Sequence, residues 1–202
     1  MGGRRSRDRV LQASLGLITE VGIDQVRLAE IARRAGMSSG QVIYYFTSKE
    51  NILLETLAWR EHEETRQRRI SLPDAPAGWP RLELFASLYL PSDLTDPVWI
   101  LWMEAWARAP HNTQVSQFLE ELMLPWREDL AEIVEDGARA GAFQPQGPVG
   151  DFAIRFCAVL DGLAVFHLRQ MPALSSARLI QMAMDGARAE LEPRSGHGGR
   201  AR

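Results

Sequence analysis

Between residues 38 and 49 the chain places Ser38, Gln41, Tyr44, Tyr45 and Lys49 within reach of one another. Their shared chemistry is contact with base edges and phosphates. Gln suits adenine, an aromatic ring suits the thymine methyl, and a hydroxyl or an ammonium suits phosphate oxygens. Adjacent Tyr44 and Tyr45 diverge by about 100° on a helix, so both cannot face a core. Ser38-x-x-Gln41 also fits a capping box, in which the two side chains satisfy free amides at a helix start, and both roles stay open for Gln41. Thr47-Ser48-Lys49-Glu50 carries the same pattern and sets Lys49, the sole lysine, in the first turn of the next helix. A cation there opposes the helix dipole by about 0.3–1 kcal/mol; an incoming phosphate reverses the sign.

These residues need short, rigid supports. Leu28, Ile31, Ala32 and Ala35 fall at helical spacing, Gly36 breaks the run, and a second short helix covers residues 39–45. Two short helices about a glycine turn describe a helix-turn-helix. Ile31, Val42, Ile43 and Phe46 are expected to hold the pair against a first helix over residues 7–21. That helix shows Val10, Leu11, Ser14, Leu15, Ile18 and Val21 on one face and ends at Gly22. Arg4, Arg5, Arg7 and Arg9 precede it, either as an arm for phosphates or a minor groove, or as a solvated tail. Residues 1–49 hold eight basic against four acidic side chains, although the whole chain is at −3. A basic end on an acidic body fits a phosphate-binding module joined to a domain with another task.

The run Gly22, Leu28, Glu30-Ile31-Ala32, Ala35-Gly36-Met37-Ser38, Gly40, Tyr44-Tyr45-Phe46 and Ser48-Lys49-Glu50 resembles the DNA-binding domain of the TetR family of transcriptional regulators, over residues 10–57. The resemblance implies that residues 39–45 enter the major groove and that Tyr45 and Lys49 hold phosphates. With Arg27, Ser38, Ser39, Gly40, Gln41 and Tyr44 they form the expected DNA-binding set. Two departures stand out. Val26 and Arg27 occupy the place where the family has a capping hydroxyl, and Arg27 can substitute through a charge-assisted bond. Ile43 stands where the family often has an aromatic residue.

The remainder reads as helical, with breaks at the prolines of residues 73–80, 91–97, 110 and 145–148 and a kink at Pro125. Helices are expected over about residues 48–70, 81–90, 98–109, 113–140, 149–170 and 175–191. The fold class is therefore all-α, with about nine helices. A three-helix DNA-binding domain (residues 1–48) would precede a larger ligand-binding and dimerisation domain (49–192) and a disordered Gly/Arg tail (193–202).

Trp99, Trp102, Met103 and Trp106 make an aromatic stripe, to which Phe118, Trp126, Phe156 and His167 would add walls of a small-molecule pocket. Ordinary core packing is the other reading of each ring. The C-terminal half resembles, more loosely, the choline-responsive branch of the same family, through Trp99–Pro110, the turn at residues 140–143 and Asp161-Gly162-Leu163. The expected effector is a neutral lipophile or a quaternary ammonium or polyamine held by cation–π attraction. The resemblance implies that the last two helices pair with their mates in a homodimer, through Phe152, Val159, Leu163, Phe166, Leu179, Met182, Ala183 and Ala187. Two heads about one DNA turn apart would then meet double-stranded DNA on a palindrome.

Several classes find no support. No stretch suits a membrane span, and cytoplasm is the default compartment. Cys157 is the only cysteine, and His62, His111 and His197 show no metal spacing, so neither a metal site nor a cofactor is implied. No nucleophile–base arrangement supports an enzyme. The expected function is a ligand-responsive regulator, most simply a repressor; the alternative is a constitutive DNA-binding protein without an inducer.

Overall fold

Every regular element is helical in the computed structural model, which describes residues 2–169 and 174–192. Nine α-helices occur among them: α1 Gly2–Val21, α2 Leu28–Ala35, α3 Ser39–Tyr45, α4 Lys49–Asp74, α5 Trp79–Tyr89, α6 Pro97–Trp106, α7 Thr113–Arg139, α8 Val149–Leu168 and α9 Ser176–Leu191. A 3₁₀ turn at Ala109–His111 follows α6. The expected tail over residues 193–202, His197 and the end of the eighth helix at residue 170 lie outside the described residues. Among the described residues no helix is long and apolar enough to cross a membrane.

The described residues pack as two compact units, one drawn from Met1–Gln67 and Asp93–Pro125, the other from Arg68–Ser92 and Trp126–Arg202. This division departs from a boundary at residues 48 and 49, because α6 packs on α1. Leu101, Trp102 and Ala105 close the core that Val10, Leu11, Ile18, Ile31, Val42 and Phe46 begin. α1 starts five residues before the expected helix. Its Arg7 pairs with Glu55, and its Arg9 donates to the carbonyls of Ala35 and Gly36, lashing α1 to the end of α2. Gly36 turns left-handed there at φ 62°, where a Cβ would also meet the Arg9 guanidinium at 2.6 Å. Val21, expected on the buried face, is half-exposed, and Leu17 is buried instead.

In the second unit α9 packs on both α5 and α8. The Phe143 ring lies so close to the α7 backbone that a Cβ at Gly137 would meet it at 2.2 Å, and Trp79 packs edge-on to the same ring at 4.8 Å. Arg68 is 1% exposed, bonds Asp129 at 2.9 Å and covers the Trp126 ring at 3.4 Å. The Tyr89 hydroxyl donates to Asp161 at 2.6 Å, and the Tyr89 ring meets Trp126 at 4.8 Å. Burial pushes the Asp161 carboxyl up to about 6, against the lowering effect of the Tyr89 hydrogen bond. Burial, with the Asp161 charge nearby, pushes the Cys157 thiol up to about 12. Among the described residues no cluster of ligating side chains suits a metal ion.

Candidate nucleic-acid interface

α3 is only seven residues long, too short to persist alone, and its caps and one buried face hold it in place. Ser38 Oγ accepts the Gln41 amide at 3.2 Å, while Gln41 Oε1 accepts the Ser38 amide at 2.9 Å. The capping box is thus fully formed, and the Gln41 carbonyl oxygen is turned back onto the cap. A bidentate contact to adenine needs that oxygen as well as the amide nitrogen. Val42 is the fully buried residue of α3, and Phe46 is buried just beyond its end.

Ile43 corrects the expectation that it belongs to the core: it is 55% exposed. One apolar residue per turn, with Phe46, already anchors so short a helix, so the next position turns outward. Tyr44 is 84% exposed, and Tyr45 is half-buried with its ring edge-on to Tyr44 at 5.4 Å. Ser38, Ser39 and Gly40 are exposed as well.

Lys49 opens α4, but the cap lies one residue later than the sequence pattern implied. Ser48 Oγ accepts the Asn51 amide at 3.0 Å, and Asn51 Oδ1 accepts the Thr47 amide at 3.3 Å. Lys49 Nζ is not merely solvated; it donates to the Asp24 carbonyl at 3.0 Å while staying exposed. The turn between α1 and α2 thereby fixes the ammonium beside the start of α4. Arg27 is the N-cap residue of α2, exposed and without a side-chain capping bond. Of the four N-terminal arginines, Arg7 and Arg9 are spent on internal contacts, whereas Arg4 and Arg5 stay exposed on the first turns of α1. Gly3 approaches the Tyr45 hydroxyl, a Cβ there being 3.9 Å away, so this basic end adjoins α3.

The expected effector residues divide between the units. In the first, Trp99 and Trp106 meet edge-on at 5.8 Å, and Trp102 and Trp106 lie 5.5 Å apart. Trp102 Nε1 donates to the buried Glu61 carboxylate at 2.7 Å, a partner on α4 that sequence reasoning missed. Met103, on the same stripe of α6, is 37% exposed, and Phe118 is partly buried against the core of this unit. In the second unit Trp126 has one face covered by Arg68, and Phe156 stacks on Phe152 at 5.4 Å. His167 is buried with Nδ1 3.1 Å from the Leu174 carbonyl, which requires the proton on Nδ1.

The expected dimer residues all lie in the second unit and separate by burial. Phe152, Leu163, Leu179, Ala183 and Ala187 are buried inside the protomer, while Val159, Phe166 and Met182 are exposed. α8 and α9 are apolar on more than one face, and the period alone does not tell which face is covered from within. Ile154, Ala158 and Gly162 complete the exposed stripe on α8.

Comparison with known proteins settles the family. Residues 80–192, more than half of the chain, match the description "BetI-type transcriptional repressor, C-terminal", and residues 10–56 match "Bacterial regulatory proteins, tetR family". The chain belongs to the TetR family of transcriptional regulators. Among its relatives in this family, the HTH-type transcriptional regulator BetI of Serratia proteamaculans is 27% identical over 184 residues, covering 89% of each chain. A regulator from Saccharomonospora viridis, solved in complex with choline, is 25% identical with a TM-score of 0.83, covering 96% of this chain and 100% of that one. The fatty acid degradation regulator FadR of Bacillus halodurans shares the fold at 18% identity and a TM-score of 0.74, covering 88% of this chain and 92% of that one. A DNA-binding regulator built on a helix-turn-helix accounts for α1–α3.

Proposed function

We propose that this regulator is a homodimeric repressor that leaves a palindromic operator when a small organic cation, of the quaternary ammonium class, binds. The observation that carries the effector class is the Trp99–Trp102–Trp106 cluster with the buried Glu61 carboxylate on the Trp102 indole. Aromatic faces favour a quaternary ammonium through cation–π attraction, and a buried carboxylate adds an attraction for positive charge. The choline complex of the Saccharomonospora viridis regulator supports the same class. A neutral lipophile is the competing effector.

Glu61 stands twelve residues beyond Lys49 on α4, about 18 Å along the helix axis. A ligand drawing on Glu61 therefore acts on the helix that carries the phosphate clamp. Release requires the ligand to bind the DNA-incompetent form more tightly. For the homodimer, the exposed stripe of Ile154, Val159 and Phe166 on α8, with Met182 on α9, is the surface that supports pairing.

Titration calorimetry with choline and with its neutral isostere 3,3-dimethylbutan-1-ol, alongside gel shifts on DNA upstream of the gene, tests the reading. Choline is expected to give heat and to release the DNA, and Glu61→Gln to weaken it. Equal binding of the neutral isostere would replace the cation by a lipophile. No heat and no release with either compound would leave the constitutive alternative.

A further inference from the structure

The surface that α3 turns outward is unusual for a helix that reads DNA. Its sequence, SGQVIYY, contains no charged side chain. Its single amide, Gln41, has its carbonyl oxygen engaged in the capping box. What remains outward at helical spacing is Gly40, Ile43 and Tyr44, at i, i+3 and i+4. Gly40 offers no side chain, and the other two offer a branched alkyl group and a ring. The bidentate pairings of arginine with guanine and of Gln with adenine need a guanidinium or a whole amide, whereas this face presents only the single hydroxyls of Ser39 and Tyr44 and the Gln41 amide nitrogen. Major-groove features that suit alkyl and aromatic surface are the C5-methyl groups of thymine. Ile43 is a sizeable apolar side chain left 55% exposed on this face.

Building on the DNA-binding reading above, we infer that the head selects its operator chiefly by apolar contact of Ile43 with thymine methyls, with the Tyr44 ring alongside, rather than by a hydrogen-bond code. Lys49, Arg27 and the Tyr45 hydroxyl then set register on the backbone and contribute no base preference. Ile43 is the specificity-determining residue in this arrangement, and Gln41 is a cap that positions it.

The test uses the full-length protein and the tightest duplex that it recovers from a randomised 30-base-pair pool, resynthesised with deoxyuridine for thymidine. Uracil keeps every hydrogen-bonding group and deletes only the methyl. One buried methyl is worth about fourfold in affinity, so two half-sites make a loss of about fifteenfold. Ile43→Ala is expected to bring the thymine-to-uracil ratio within about twofold, while Tyr44→Phe, which keeps the ring, preserves it. Both side chains are exposed, so the variants should fold as the wild type does, and circular dichroism verifies this. Wild-type binding that ignores the uracil exchange, or an unchanged ratio in Ile43→Ala, overturns the inference and leaves the DNA-binding reading standing. A pool that yields no enriched sequence overturns both.

Discussion

Replacing Asp161 by Asn should stabilise the protein at neutral pH and do less in acid. The Asp161 carboxyl is partly buried on α8, with the Tyr89 hydroxyl 2.6 Å away, and burial lifts it from the ordinary 3.8 to about 6. Between these values the folded chain holds a proton that the unfolded chain has lost. Stability from this group is therefore full below about pH 4, falls as pH rises through about 6, and stays low above. A gap of about two pH units corresponds to about 3 kcal/mol, and partial solvent screening reduces it to about 2 kcal/mol. Asn keeps an oxygen to accept the Tyr89 hydroxyl and never ionises. Asp161→Asn should gain about 2 kcal/mol at pH 7.5, or about 4–8 °C in Tm for a chain of this size, and about a third of that at pH 4.5. Thermal unfolding followed by circular dichroism at pH 4.5, 6 and 7.5 reads this directly. A shift of equal size at all three values, or none at pH 7.5, would refute the reasoning.

Other substitutions probe different parts of the molecule. Gly137→Ala drives a methyl into the Phe143 ring and should cost about 3 kcal/mol or more in a denaturant melt, whereas Gly150→Ala, in α8 with open space around it, should be neutral or stabilise by up to about 1 kcal/mol. Lys49→Ala should weaken DNA binding and reduce the slope of log affinity against log salt by about 0.9, the worth of one phosphate contact. The pair Arg4→Ala and Arg5→Ala should lower that slope by up to about 1.8 without changing the preferred sequence; an unchanged slope would return both arginines to the solvent.

Much of the head was legible because its determinants are local. The Gly36 break, the Ser38–Gln41 box and the buried set from Val10 to Phe46 each follow from spacing within a few residues. Ile43 was not legible, since an apolar residue in an apolar run carries no mark of which side it faces. The tie from Lys49 to the Asp24 carbonyl was equally hidden, because it joins positions 25 residues apart through a backbone group that has no side-chain signature. Glu61 sits in a charged stretch of α4, and nothing in that stretch marks it as the partner of the Trp102 indole that α6 brings to it. In α8 and α9 the sequence showed that two faces are apolar, and three-dimensional packing alone divided them into the inward Phe152 and Leu163 and the outward Val159 and Phe166.

The lone Cys157 has a practical consequence. Buried in α8, with its thiol pushed up to about 12, it holds almost no thiolate at pH 7.5. Thiol reagents should therefore ignore it in the native protein, so a single cysteine introduced at exposed Ser39 can be labelled without first removing the natural one. Two such labels in a dimer would report the separation of the heads directly, with and without effector. Cys157 itself would stay dark until the second unit opens, serving as a built-in clock for its unfolding.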